Sequence, residues 1–79
     1  MKKTLDELVV GQECIVVKVE GEGKFRQRIF DMGITPGAKI KLKKVAPLGD
    51  PLDVVVRGYS LSLRRAEAKT VTVEVGGNK

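Results

Sequence analysis

The stretch from Lys24 to Val45, KFRQRIFDMGITPGAKIKLKKV, contains the pattern that decides the fold. Its first nine residues carry apolar side chains at i, i+4 and i+7, the spacing of one helix face: Phe25, Ile29 and Met32. We therefore predict a short α-helix over 24–32 that packs this face, together with Phe30, into the core. The opposite face is polar and is expected to be exposed: Arg26, Gln27, Arg28 and Asp31.

The segment after this helix predicts an abrupt return to extended chain. Gly33 stands where a C-cap glycine belongs, and Ile34 is placed for the apolar contact that accompanies such a cap. The residues 35–38 have Pro and Gly at the two central positions of a type II turn. In Lys39–Val45, lysines alternate with Ile and Leu before a second lysine follows directly. This alternation predicts a half-buried strand with a lysine-rich outer face.

The remaining apolar stretches are short and rich in β-branched residues. They predict four further strands, which lie at 13–20, 52–57, 59–63 and 71–75. Arg57–Gly58 fits a tight hairpin turn, and Arg64–Ala68 suits a single helical turn. The sequence thus predicts a mainly β protein: a small five-stranded SH3-like barrel with one short α-helix and a single helical turn. We place this domain at residues 1–75 and a flexible C-terminal tail at 76–79.

Composition excludes several classes of protein. The 79 residues include no histidine and one cysteine, Cys14, so a disulfide framework, a zinc site and imidazole catalysis are all unsupported. Cys14 lies in an apolar strand, which is typical of a buried structural thiol. No apolar stretch approaches the roughly 20 residues that cross a bilayer, and the first residues lack the pattern of a signal peptide. We predict a cytoplasmic protein that is not an enzyme and does not span the membrane.

The positive charge is concentrated in one part of the chain. Residues 18–44 hold eight basic and three acidic residues, which accounts for the whole net charge of +5. Two interpretations stay open: an electrostatic footprint for an anionic partner, or a solubilising lysine face that protects an exposed strand. With both phenylalanines assigned to the core, Tyr59 is the one remaining aromatic residue that could stack on a base. We therefore expect no nucleic-acid partner.

Three segments together resemble the FeoA family of bacterial ferrous iron transport proteins. They are RIFDMGITPG at 28–37, APLGDP at 46–51 and VRGYSLSLR at 56–64, in that order and spacing. The resemblance extends over about residues 5–75 and is most specific in the first two segments. It implies an SH3-like barrel that acts as a cytoplasmic accessory of a FeoB-type ferrous iron transporter. Such a protein would dock on the transporter's G-protein domain or on the cytoplasmic face of its channel, and would modulate it.

The resemblance also bears on metals and on a second function. It implies a weak, family-level association with transition metals, and we predict neither a cofactor nor a metal ligand in this chain. Related barrels form the C-terminal domain of iron- and manganese-dependent repressors. The alternative is therefore an SH3-like metal-responsive or nucleic-acid-binding module of that kind. We expect a monomer or a weak oligomer.

The candidate site residues lie in three places on this framework. A proline-bounded loop with an apolar residue at its centre is typical of a binding loop on a rigid scaffold. The helix contributes its charged face, and the tyrosine lies beside the hairpin. Arg28 and Asp31 are three residues apart and could simply pair with each other, and Tyr59 could fill the barrel end instead. The predicted partner-binding residues are Arg26, Arg28, Asp31, Pro47, Leu48, Gly49, Asp50, Pro51 and Tyr59.

Overall fold

The computed structural model describes residues 1–76, a mainly β structure with six strands. The strands are β1 Lys2–Thr4, β2 Glu13–Val19, β3 Lys39–Val45, β4 Leu52–Val56, β5 Tyr59–Leu63 and β6 Val71–Val75. The helices are α1 Gly23–Asp31 and the one-turn α2 Arg65–Ala68, and a 3₁₀ turn spans Leu5–Glu7. The predicted tail at 76–79 lies outside the described residues except for Gly76.

All six strands form one antiparallel sheet in the order β1-β6-β2-β3-β4-β5. The five predicted strands are present, and β1 is a sixth that the sequence did not indicate. Three residues with no apolar alternation carry no local strand signal, so β1 is specified by its pairing with β6, from Lys2 opposite Glu74 to Thr4 opposite Thr72. The N-terminal ammonium also donates a hydrogen bond to the Glu74 carboxylate, which holds the pKa of Glu74 below its ordinary value.

The two edges of the sheet, near β1 and β5, are connected by a side chain and not by hydrogen bonds between strands. Over residues 1–76, β1 and β5 each pair on one side only, so the barrel is not closed by hydrogen-bonded strands. Within these residues the predicted barrel is therefore open between β1 and β5. Arg65, just after β5, donates from Nη1 to the Asp6 carbonyl at 3.1 Å, and the same atom lies 3.8 Å from the Asp6 carboxylate.

The core is one contiguous apolar cluster between the bent sheet and α1. Ile29 is fully buried in it, while Phe30 and Met32 are half-buried against it. Phe25 stays 38% exposed, so its assignment to the core is wrong. A Cβ added at Gly21 would lie 3.0 Å from Phe25 Cδ2, which shows that the ring lies against the chain before the helix. Helical periodicity identifies a face, but the sheet covers only the C-terminal half of that face.

The exit from α1 has the predicted capping geometry. Gly33 has φ +90° and donates its N–H to the Phe30 carbonyl at 2.9 Å, and Ile34 donates to the Ile29 carbonyl at 3.3 Å. These two bonds form a Schellman motif, and the two isoleucines are both fully buried, as its apolar contact requires. The type II turn follows, with Ala38 N–H donating to the Thr35 carbonyl at 2.9 Å. This rigid exit fixes where α1 ends relative to β3.

Candidate partner-binding surface

The loop that joins β3 to β4, residues 46–51, presents an apolar tip on a backbone that bonds to itself. Gly49 donates its N–H to the Ala46 carbonyl at 2.7 Å, and Ala46 donates to the Pro51 carbonyl at 3.1 Å. The Asp50–Pro51 peptide bond is cis. Leu48 remains 96% exposed at the tip of this β3–β4 loop. The loop therefore offers an apolar side chain to solvent from a defined position.

One arginine of α2 holds the β3–β4 loop in place. Arg65 donates from Nε to the Gly49 carbonyl at 2.9 Å, and its backbone N–H donates to Asp50 Oδ1 at 3.0 Å. The same side chain reaches the Asp6 carbonyl, so it links the loop to both ends of the sheet. Arg65 is not among the sequence-predicted site residues. No local pattern distinguishes it from Arg64, because its role depends on partners that are distant in the sequence.

The other end of α2 holds α1. Glu67 is buried and accepts the Arg64 backbone N–H at 2.9 Å through Oε1, while Oε2 lies 3.3 Å from Arg28 Nε. The alternative that Arg28 pairs with Asp31 is therefore wrong, since Asp31 accepts a bond from Gln27 Nε2 at 2.9 Å. A buried carboxylate needs a compensating partner, and the Arg28 guanidinium places a positive charge beside it.

Arg26 packs against its own domain. Its Nε donates to the Val19 carbonyl at 3.2 Å, and its guanidinium carbon lies 4.6 Å from the centroid of the Phe30 ring. This distance is within the range of a cation–π contact. The side chain therefore connects α1 to the end of β2, and only part of it is left for a partner.

Tyr59 caps the C-terminal end of α1 from the neighbouring strand. Its hydroxyl donates to the Met32 carbonyl at 3.1 Å, while the residue remains 48% exposed. A Cβ added at Gly33 would lie 3.0 Å from this hydroxyl, so the small residue permits the approach. Tyr59 thus does not fill the barrel interior. The predicted hairpin turn lies before it, with Arg57 at φ +52° and Gly58 at φ +88°.

These contacts bring six of the nine predicted residues, Arg28 and residues 47–51, around α2, and leave Arg26 and Asp31 elsewhere on α1. The β3–β4 loop contacts α2 through Arg65, and the outer face of α1 contacts it through Glu67. We call the β3–β4 loop, Arg65, Glu67 and Arg28 the α2 surface. Tyr59 lies apart from it, at the end of α1. The surface combines an exposed leucine with guanidinium groups, a composition suited to binding another protein.

The donor chemistry for a metal ion is poor in the described part of the chain. Between residues 1 and 76, no group of three or more His, Cys, Asp or Glu residues lies close enough to hold an ion. Burial raises the pKa of the Cys14 thiol to about 11, which opposes the thiolate form that binds metals. The residues present therefore do not fit a tight metal site. Among the helices of residues 1–76, none has the length and apolar character needed to cross a membrane.

The fold and the surface define a class: a small SH3-like β domain whose exposed features are suited to binding. Comparison with known proteins identifies the family. The FeoA domain model matches residues 3–75, so the chain belongs to the FeoA family.

The relatives confirm both the family and the fold. A Fe(2+) transport protein A/Fe(2+) transporter FeoB fusion protein of Porphyromonas gingivalis (strain ATCC BAA-308 / W83) is 42% identical over 71 residues. That match covers 90% of this chain and only 8% of the fusion protein. A FeoA-like protein from Clostridium acetobutylicum superimposes with a TM-score of 0.91 at 41% identity, covering 99% of this chain and 91% of the other.

A third relative was solved with a bound metal ion and is described by its fold. The FeoA of Stenotrophomonas maltophilia, solved in complex with zinc, is described as a prokaryotic SH3 domain protein. It superimposes with a TM-score of 0.80 at 29% identity, covering 91% of this chain and 89% of the other. The SH3-like fold class is therefore confirmed, with six strands in place of five.

Proposed function

We propose that this chain is a non-enzymatic binding domain that docks on a FeoB-type ferrous iron transporter and modulates it. The single observation that carries the proposal is the α2 surface, on which Leu48 is 96% exposed while the loop beneath it is held by Arg65. The fusion of a related sequence to FeoB in the Porphyromonas protein supports the choice of partner. Ferrous iron is the cargo of the transporter in this proposal.

The restrained loop makes docking energetically favourable. An apolar side chain that a partner pocket covers gains the free energy of its burial, on the order of 2 kcal/mol for a leucine. The loop loses little conformational entropy on binding because its backbone bonds already exist in the free domain. The Arg28 side chain, 67% exposed beside its carboxylate partner, adds a positive charge to the α2 surface. The exposed side of the Tyr59 ring offers further contact area.

Modulation follows from differential binding. A bound domain shifts the transporter between two conformations only by the difference between its affinities for them. A change in nucleotide hydrolysis or in iron flux is then a property of the transporter, and this chain supplies only binding free energy. Direct chemistry by this chain has no part in the proposal.

An amide NMR titration tests the docking directly. The ¹⁵N-labelled chain is titrated with the soluble cytoplasmic G-protein domain of a FeoB-type transporter, with guanosine diphosphate and with a non-hydrolysable triphosphate analogue. We expect the largest shifts at Leu48, Gly49 and Arg65, and different affinities in the two nucleotide states. Amides of β1, which is not part of the α2 surface, serve as internal controls. The absence of shifts near millimolar concentration in both states would contradict docking on the G-protein domain.

A further inference from the structure

Strand β3 carries four lysines on one face of the sheet because of a β-bulge. Simple alternation would place Lys44 in the core, where an unpaired ammonium is very costly. The β3–β4 register runs from Leu42 opposite Val54 to Lys44 opposite Asp53, so Lys43 is an extra residue. Lys43 and Lys44 are consequently both exposed, as are Lys39 and Lys41 earlier in the strand.

The hairpin turn after β4 adds one cation to these lysines, and few carboxylates neutralise them. Lys39 lies 3.6 Å from Glu13, but within residues 1–76 no carboxylate lies within 4.0 Å of Lys41, Lys43 or Lys44. Arg57 lines a shallow groove with Lys39 and Lys41. Asp53 is half-buried and accepts a hydrogen bond from Ser62 at 2.7 Å. We call this surface the β3 face, and it holds five cations and two carboxylates. Its residues are Lys39, Lys41, Lys43, Lys44, Arg57, Glu13, Asp53, Ile15 and Val55.

The shape and composition of the β3 face select among anionic ligands. The seven residues of β3 extend over about 20 Å, so the lysines form a row and not a pocket. Lysine is a point charge on a flexible stem, which suits a diffuse negative surface better than the paired oxygens that arginine binds. Ile15, which pairs with Lys39 across the ladder, adds an aliphatic side chain that is 42% exposed.

Nucleic acid fits this face less well. Base stacking needs exposed aromatic rings, and the aromatic residues of the chain lie elsewhere. Tyr59 bonds to Met32 at the end of α1, and Phe25 lies against Gly21. Flexible lysine stems with an aliphatic side chain between them are instead the composition of surfaces that lie on phospholipid headgroups.

We propose that the β3 face binds the surface of an anionic phospholipid bilayer. The contact would orient the domain on the membrane through residues other than those of the α2 surface, which adjoins the β3 face at a groove between Lys44 and Pro47. It is independent of docking on a transporter, because neither Leu48 nor Arg28 contributes to it.

Vesicle co-sedimentation of the full chain tests the proposal. Vesicles of phosphatidylcholine with phosphatidylglycerol are compared with vesicles of phosphatidylcholine alone, at low and high salt. We expect binding only to the anionic vesicles, weakened by salt. Each lysine near such a surface contributes about fivefold to the partition coefficient, so the double variant Lys41→Gln/Lys43→Gln should lower it about 25-fold. Leu48→Asp should bind vesicles as the wild type does, which separates this proposal from the proposed function.

A matched variant removes the same charge elsewhere. Lys24 is exposed on α1 and Lys69 is exposed just after α2, and neither belongs to the β3 face. Lys24→Gln/Lys69→Gln should change vesicle binding by less than about threefold, because its charges lie off the face. Equal losses in the two double variants would overturn the proposal in favour of overall net charge. Displacement from vesicles by inorganic phosphate at constant ionic strength, or tighter lysine-dependent binding to duplex DNA, would also overturn it. Circular dichroism melting verifies that both variants fold.

Discussion

The β3–β4 loop and the outer face of α1 differ in how they use their exposed side chains. In the loop, structural contacts are made by backbone groups and by Asp50, and Leu48 is left free at the tip. On α1, Arg26 and Arg28 contact other parts of the domain, and Asp31 accepts a hydrogen bond from Gln27 of the same helix. A change at the loop tip therefore tests binding alone. A change on α1 alters binding and stability together, and its effect on affinity is harder to interpret.

Leu48→Asp tests whether the tip of the β3–β4 loop contributes to binding without contributing to stability, and it has the largest expected effect. We expect the affinity for the cytoplasmic domain of a FeoB-type transporter to fall at least 30-fold, about 2 kcal/mol, because a charge replaces the apolar anchor of the interface. The free energy of unfolding should change by less than about 0.5 kcal/mol, since the residue is almost wholly exposed. Isothermal titration calorimetry and urea unfolding measure the two quantities.

Val9→Asp is the matched control for this prediction. Val9 is 64% exposed and lies outside the α2 surface, in the turn before β2. The same aliphatic-to-acid change at this position should leave the affinity within about twofold. Comparable losses in the two variants would show that added negative charge, and not the loop tip, decides binding.

Glu67→Ala should have the next largest effect, on stability. The variant loses the hydrogen bond from the Arg64 backbone N–H, and with it the capping of α2. We expect the free energy of unfolding to fall by about 1–2 kcal/mol, most of it from the cap and the buried stem. The ion pair with Arg28 adds little because Arg28 is 67% exposed and screened by water. Urea unfolding provides the measurement.

Two further variants show which interaction of Glu67 accounts for the lost stability. Glu67→Gln keeps an acceptor for the Arg64 N–H and should retain most of the stability. Glu22→Ala removes an exposed carboxylate whose side chain makes no cap bond to α1, and should cost less than about 0.5 kcal/mol. If Glu67→Ala unfolded no more easily than Glu22→Ala, the bond from the Arg64 N–H and the buried stem of Glu67 would not stabilise the domain.

Local signals explain which features the sequence predicts correctly. The end of α1 depends on Gly33 and Ile34, and the turn after it on Pro36 and Gly37, all within a few residues of the structure they specify. The exposed β3–β4 loop is indicated by its two prolines and by an apolar residue with no strand around it, and its role in binding stays a prediction. Its exposure at Leu48 follows from the same local pattern.

Other features depend on contacts between residues far apart in the sequence. Arg65 bonds to residues 16 and 59 positions away, so neither partner was visible from its own segment. Strand β1 forms only because β6 is there to pair with it. Phe25 matched the helical periodicity, but the extent to which the sheet covers α1 is a property of the assembled domain. These features are set by the assembled domain, and no local pattern in the sequence specifies them.

Tyr59→Phe tests the contact at the C-terminal end of α1, and it has the smallest expected effect. It removes the hydroxyl that donates to the Met32 carbonyl. Water can reach that carbonyl in place of the hydroxyl, so we expect only about 0.5–1 kcal/mol of lost stability. The ring remains, and affinity for the partner should stay within about twofold. Reduced affinity with unchanged stability would instead place the hydroxyl in the interface.

A double-mutant cycle with Gly33→Ala locates the origin of this effect. An alanine at position 33 costs stability through its φ of +90° and through a Cβ that would lie 3.0 Å from the Tyr59 hydroxyl. Tyr59→Phe relieves the second cost but not the first. We therefore expect Gly33→Ala to be less destabilising in the Tyr59→Phe background, by a few tenths of a kcal/mol. Strict additivity would mean that the ring moves freely away from α1, and that the two sides of the α1 exit are not coupled.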